Sequence, residues 1–144
     1  MITEVVATLC SGLFAGAAAY VTVAEAPALQ SCGTEFAAKA FPPTYRRAAA
    51  MQAPLALLGS VAGLAAWWSK GHLATLAAAL LLGSVLPYTG FIIMGVNNRL
   101  LAPDLDVSSP QVSQLLSQWA RLHSVRTLLA VAAFLLFTIR LAAG

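Results

Sequence analysis

The stretch Trp119-Ala-Arg-Leu-His-Ser-Val-Arg126 opens the last apolar run of the chain, which continues to Ala143. At 100° per helical residue, Trp119, His123 and Arg126 share one face about 60° wide. Arg126 then lies about one turn inside a segment long enough to cross a bilayer. An ionisable group at that depth costs roughly 2.5 to 3.5 kcal/mol unless it is paired or hydrated, so this face is a candidate functional site. The alternative is an ordinary arginine that reaches the headgroups from a helix end.

The composition of the whole chain indicates an integral membrane protein. Hydrophobic residues make up 60% of its 144 residues and charged residues 9%, against about 45 to 50% and 25% in soluble domains. The eight Lys and Arg residues, with a net charge of +3, stand almost wholly at the ends of apolar segments. That placement favours contact with lipid headgroups over binding of nucleic acid, so no nucleic-acid partner is predicted. Cys10 and Cys32 form no Cys-x-x-Cys motif, so neither a zinc site nor a redox dithiol is predicted.

Four apolar runs separated by helix breakers predict an all-α fold, an antiparallel bundle of four transmembrane helices forming one domain over residues 1–144. The predicted helices span about 3–26, 45–68, 73–97 and 110–142. Pro27 is expected to end the first helix, and Pro42-Pro43 to end a short interfacial helix over 35–41, which Thr34 would cap and a Glu35–Lys39 pair would brace. Pro87 and Gly90 predict a kink in the third helix. The fourth helix is longer than a bilayer core, so its first turns should stand above the hydrocarbon.

Small residues and turn residues predict how these helices pack. Gly12, Gly16, Gly59 and Gly63 form small-xxx-small pairs, which should face neighbouring helices because a missing side chain lets two backbones approach closely. The segment 67–72, Trp-Trp-Ser-Lys-Gly-His, predicts a tight turn between the second and third helices with tryptophan anchors at the membrane interface. His72 is expected to be a solvated residue of that turn.

The remaining polar residues of interest all fall at one end of the predicted bundle. They come from all four helices: Glu25, Tyr45, Arg46, Gln52, Asn97, Arg99, Trp119, His123 and Arg126. A pocket there would combine an acid, a near-neutral base and fixed cations with an aromatic wall, which suits binding and deprotonation of a flat, weakly acidic, apolar molecule. The same groups could instead form an ion-pair cluster that holds four helix ends together.

Short motifs in these segments resemble one family of small membrane proteins. They are Glu25 with Pro27, then Phe41-x-x-x-Tyr45-x-Arg47-Ala48 with Gln52, then Asn97-x-Arg99-Leu100, and finally Trp119-x-x-x-His123-x-x-Arg126. Together they resemble the anthrone oxygenase-like family of four-helix integral membrane proteins. Most members of that family have no assigned function, and the motif on the fourth helix is the most specific part of the match.

The resemblance implies a multi-pass integral membrane protein. It also implies oxidation of a polyketide anthrone to an anthraquinone by O2, with no bound metal, flavin or other cofactor. Carried over to this chain, His123 would be the base, Arg126 and Asn97 would stabilise the enolate oxygen, and Trp119 would stack on the substrate ring. Glu25, Tyr45, Arg46 and Gln52 would line the rest of the substrate site.

Two other classes of function compete with a cofactor-independent oxygenase acting on a lipophilic aromatic or quinone-like substrate. One is a non-catalytic accessory subunit, packed against a membrane-protein partner or another copy of the chain, which the small size and short loops favour. The other is a metal or haem protein. It is the weakest, because one membrane histidine with Glu25 and Asn97 is a thin ligand set, and the two histidines lie at opposite ends.

Overall fold

A computed structural model describes all residues from Met1 to Gly144 and contains four long helices and no strand. They are α1 (Ile2–Ser31), α2 (Thr34–Lys70), α3 (Leu73–Leu100) and α4 (Pro110–Ala142), each long and apolar enough to cross a membrane. Within the bundle α1 packs against α2 and α4, and α3 packs against the same two helices. The predicted all-α four-helix membrane bundle is therefore confirmed.

The inner half of the bundle, at the end that holds the α2–α3 turn, is packed tightly around small side chains. Its core is largely alanine, with Phe14, Leu82, Val85 and Phe137 filling the remaining space. A Cβ atom built on Gly59 would lie 2.6 Å from Leu82, and one on Gly63 would lie 2.6 Å from Phe137. At these positions only glycine lets the helices approach so closely.

The prediction for the four small-xxx-small glycines is correct for three of them. Gly12 faces the Phe134 ring of α4, with 2.8 Å between that ring and an added Cβ, and Gly59 and Gly63 also face neighbouring helices. Gly16 is exposed, and an added Cβ would meet nothing within 4 Å. The prediction for Gly16 is therefore wrong: the contact with α4 that Gly12 makes does not continue to Gly16, one turn further along α1.

The outer half of the protein is held by a second core between the start of α2, the end of α3 and the start of α4. Its buried members are Ala37, Ala38, Phe41, Val96, Leu100, Val112, Leu115 and Leu116. With 37 and 33 residues, α2 and α4 reach about 55 and about 50 Å at 1.5 Å per residue, well beyond a hydrocarbon core of about 30 Å. The outer core therefore extends to the headgroup level and beyond.

Both α1 and α3 contain a π-helical turn, at Val21–Glu25 and at Thr89–Ile93. The prediction that Pro27 ends the first helix is wrong, because α1 continues to Ser31. A π-helical turn shifts the hydrogen-bond register, so a proline placed directly after it is tolerated without breaking the helix. In α3, Pro87 and Gly90 flank the start of the second wide turn, at the place where a kink was expected.

The prediction of a separate interfacial helix over 35–41 is also wrong, because α2 runs unbroken through Pro42, Pro43 and Pro54. Phe41 is buried in the outer core and stacks on Tyr45, with 5.5 Å between the ring centroids. The Thr44 hydroxyl donates to the carbonyls of Ala40 and Phe41, at 2.9 and 3.0 Å. Pro42 and Pro43 leave the carbonyls of Ala38 and Lys39 without their N–H donors, and packing of Ala38 and Phe41 in the outer core keeps the helix continuous there.

The helix ends near these segments agree only in part with the predicted caps. Thr34 is the first residue of α2 and makes no capping hydrogen bond, whereas the exposed Glu35 and Lys39 form the predicted pair at 2.7 Å. At the start of α4 the Ser109 hydroxyl accepts from the Gln111 amide at 3.4 Å, and Pro110 is the first helical residue. The prediction of a helix over 110–142 agrees with α4.

The turn between α2 and α3 contains Gly71 in the left-handed conformation, with φ of 74°, as the glycine there predicted. His72 is not a solvated turn residue: it is half-buried, and its Nε2 accepts from the Arg140 guanidinium of α4 at 2.6 Å. Beside it, the Lys70 ammonium donates to the buried Glu4 carboxylate at 2.7 Å. These polar contacts tie α1, α2, α3 and α4 together at the inner end.

The close approach at Gly59 leads to a test of the packing. Replacing Gly59 by Leu forces side-chain atoms into Leu82 and Cys10, and overpacking of this kind costs about 1 to 3 kcal/mol or more. We expect the Gly59→Leu protein to lose monodispersity and thermal stability in detergent, measured by fluorescence-detected size exclusion and thermal unfolding. The matched control is Gly16→Leu, which should behave like the unmodified protein; equal loss in both variants would contradict this packing.

Candidate functional site

A cavity of about 270 Å³ lies at the junction of the two cores. Its inner floor includes Phe14 and Val85 of the inner core, and its outer wall includes Phe41 and Leu116 of the outer core. All four helices contribute to the lining, which is mostly apolar. The volume is near the lower end of the roughly 300 to 1,000 Å³ of small-molecule sites, so the cavity is sized for a small ligand.

Asn97 holds the outer wall of the cavity in place. The residue is completely buried, and its side-chain amide donates to the Tyr45 hydroxyl at 3.0 Å. Its carbonyl oxygen accepts from the Trp119 indole N–H at 2.9 Å. One amide therefore links α2, α3 and α4. Because its two polar atoms bond the Tyr45 hydroxyl and the Trp119 indole, it also fixes both aromatic side chains.

His123 lies against the face of Trp119, with 4.8 Å between the ring centroids and 29° between the ring planes. Its Nδ1 lies 3.1 Å from the Thr22 hydroxyl, and its Nε2 lies 3.3 Å from a nitrogen of Arg126. A guanidinium can only donate, so Nε2 must accept, and the ring hydrogen of a neutral imidazole is then on Nδ1, pointing at Thr22. Nε2 thus carries the lone pair and is the basic atom of the imidazole.

Arg126 is a guanidinium on the wall of an apolar cavity without a carboxylate partner. It donates to the Gln52 side-chain carbonyl at 2.5 Å and contacts the Thr89 hydroxyl at 3.4 Å. Its Cζ lies 5.5 Å from the centroid of the Phe14 ring. The three ion pairs of the structure all lie elsewhere, and the buried Nε of Arg126 has no hydrogen-bond partner. The positive charge is therefore held by neutral dipoles and an aromatic face.

Each of the two π-helical turns supplies one threonine to this polar pair. Thr22, in the turn of α1, meets His123, and Thr89, in the turn of α3, meets Arg126. Thr127 of α4 lies 2.8 Å from the Thr22 hydroxyl and extends the chain of hydroxyls. Wide turns of this kind occur frequently at functional sites, and here both of them line the same cavity.

Most of the residues that the sequence singled out meet at this cavity. The lining includes seven of them: Glu25, Tyr45, Gln52, Asn97, Trp119, His123 and Arg126. Glu25 forms no ion pair with Arg126, so the predicted ion-pair alternative is not the arrangement found. Arg46 is a further correction: its side chain is exposed and outside the cavity, because the unbroken helix turns it about 100° away from Tyr45. Arg99 lies in a separate surface groove.

Sequence reasoning missed the threonines and Phe14. Thr22 and Thr89 also bond to the carbonyls four residues earlier, at 3.0 and 2.7 Å, which is the common behaviour of threonine in apolar helices. They therefore carry no distinctive signal in the sequence. Phe14 looks like any core aromatic until the fold brings Arg126 over its face.

The fold and the site together define a class: a multi-pass integral membrane protein whose four helices enclose an apolar cavity with a histidine and an arginine in its wall. The family model described as anthrone oxygenase matches residues 41–136, which is more than half of the chain. The chain therefore belongs to the anthrone oxygenase family, as the motifs predicted. No curated protein and no solved structure matches the chain. The matched segment includes Trp119, His123 and Arg126, whereas Thr22 and Glu25 lie before it.

The role of Asn97 in shaping the site can be measured directly. Replacing Asn97 by Leu leaves the Trp119 indole and the Tyr45 hydroxyl without their partner, and each unsatisfied buried group costs about 1 to 3 kcal/mol. We expect a lower melting temperature in detergent and altered Trp119 fluorescence. Asn98→Leu is the matched control, because Asn98 is exposed and makes no side-chain hydrogen bond; equal effects of the two substitutions would contradict this arrangement.

Proposed function

We propose that this protein is a cofactor-independent oxygenase that deprotonates a flat, lipophilic aromatic substrate of the anthrone type and lets the resulting anion react with O2. The observation that carries the proposal is the pairing of the Nε2 lone pair of His123 with the Arg126 guanidinium, 3.3 Å apart, on the wall of an apolar cavity. A base beside a fixed cation is what the removal of a weakly acidic C–H proton requires. Membership of the anthrone oxygenase family supports the same reaction class.

His123 is the proposed base. The Nε2 of His123 accepts from Arg126, so a substrate oxygen has to take up the guanidinium before the lone pair is free to accept a proton. The ring is held for this task by Trp119 on its face and by Thr22 at Nδ1. A base whose orientation is fixed by its second nitrogen loses little rotational freedom when it acts.

Arg126 is the proposed partner of the substrate oxygen. Deprotonation of an anthrone moves negative charge onto that oxygen, and a guanidinium without a carboxylate has its full charge available to stabilise it. The unpartnered Nε of Arg126 is one more donor within the same group. Asn97 acts on the reaction through Tyr45 and Trp119, since both of its polar atoms are already used by them. Its contribution is therefore to position the aromatic wall on which the substrate stacks.

The proposed reaction consumes one O2 for each substrate molecule. His123 removes a proton from the ring methylene, and the electron-rich carbanion transfers electrons to O2 and forms a carbon–oxygen bond, giving a hydroperoxide after protonation. Loss of water from the hydroperoxide gives the second carbonyl of the quinone. One oxygen atom thus enters the product and the other leaves as water, and the four electrons that reduce O2 come from the substrate.

The test is turnover of anthrone by the purified protein in mild detergent, followed as quinone absorbance and O2 uptake. Under this proposal His123→Ala reduces the rate by at least about 10²-fold, the usual contribution of a general base, while the protein stays folded. His72→Ala is the matched control, since His72 lies at the opposite end of the bundle and outside the cavity. Equal rates in the two variants would contradict His123 as the base. A wild-type protein that does not accelerate the reaction would contradict an oxygenase and favour a non-catalytic membrane subunit.

A further inference from the structure

The cavity is lined partly by residues that also reach the outer surface. Three of its lining residues are exposed: Gln30, Ala53 and Gly90. Gln30 is near the outer end of α1, whereas Ala53 and Gly90 are on the neighbouring helices α2 and α3. Both of the latter are small, and a Cβ atom on Gly90 would meet nothing within 4 Å. The wall of the cavity is therefore thin at the boundary between α2 and α3.

The packing of α2 and α3 explains why the wall is thin there. Nearer the inner end the two helices are in close contact, as Gly59 against Leu82 and Gly63 against Ala79 show. Further outward, α2 makes almost no close approach to the π-helical turn of α3 over Thr89–Ile93, and contact resumes only weakly beyond it. The wide turn thus coincides with a separation of the two helices, and the cavity occupies the space between them.

The surface around this separation is apolar. Leu57, one turn along α2 from Ala53, is 54% exposed, and Phe91, next to Gly90 on α3, is 89% exposed. In a helix that crosses a membrane, large exposed apolar side chains face the hydrocarbon of the lipid. The thin wall at Ala53 and Gly90 therefore faces lipid, in contrast to the polar end at Gln30.

We propose that the cavity takes its ligand laterally from the bilayer, through a portal between α2 and α3 bordered by Ala53 and Gly90. The ligand class is a flat aromatic molecule dissolved in the hydrocarbon, and this part of the proposal rests on the proposed function. Small side chains at the border let such a molecule pass, and Gln52 and Thr89, each next to a border residue, lead it to Arg126. The Arg126 contacts with both residues place the cation just behind the portal.

The experiment follows binding of 1,8-dihydroxyanthraquinone, supplied in lipid, to the protein in phosphatidylcholine nanodiscs through quenching of Trp119 fluorescence, with Trp67 and Trp68 replaced by Phe in every variant so that Trp119 is the sole tryptophan. Gly90→Leu adds a large side chain at the border of the portal, where an added Cβ meets no other atom within 4 Å. We expect the association and dissociation rates both to fall by about tenfold or more, while the dissociation constant changes less than about twofold, since a blocked route slows passage in both directions. Ala53→Leu, on the opposite border, should have the same kinetic signature.

The matched control is Gly95→Leu, because Gly95 is an exposed glycine of the same helix with open space around it and lies outside the cavity lining. Unchanged rates in both portal variants, with slower rates in Gln30→Trp, would overturn the lateral portal and show entry from the polar end. Binding through the portal without any turnover of anthrone would overturn the proposed function and leave the portal intact. Failure of the wild-type protein to bind the probe would overturn both.

Discussion

The rest of the site depends on one constraint: a guanidinium inside a membrane bundle must be satisfied without a carboxylate. Arg126 is held by the carbonyl of Gln52, the hydroxyl of Thr89 and the face of Phe14. Neutral dipoles of this kind keep the guanidinium in place but do not cancel its charge. An uncompensated positive charge, which an anion would neutralise, therefore remains at the cavity wall. A structural ion pair would have cancelled that charge.

The two π-helical turns are the backbone features that make this arrangement fit. They lie in α1 and α3, on the two helices that flank α4, and each brings a threonine to the polar face of α4. Beyond them the chain is packed in a second core that reaches past the hydrocarbon. The cavity is therefore a space left between two well-packed regions.

The polar face of α4 could be predicted because an α-helix has a fixed period. Trp119, His123 and Arg126 have to share one side of any regular helix, and an apolar run of that length has to cross a membrane. The same reasoning failed at Pro27, Pro42 and Pro43, where breaker residues were overridden. Breaker rules describe an isolated helix in water, whereas Pro27 follows a wide turn and Pro42 and Pro43 lie beside buried residues of the outer core.

By itself the sequence determined the class of protein, the number of helices and the end of the bundle where polar residues gather, because composition and helical period are local properties. Only the tertiary structure decided that Glu25 leaves Arg126 unpaired, that Arg46 points away, and that Thr22 and Thr89 complete the site. These outcomes depend on the rotation of each helix about its axis. The two π-helical turns change the direction in which the following side chains of α1 and α3 point. A constant helical period does not predict where such turns occur.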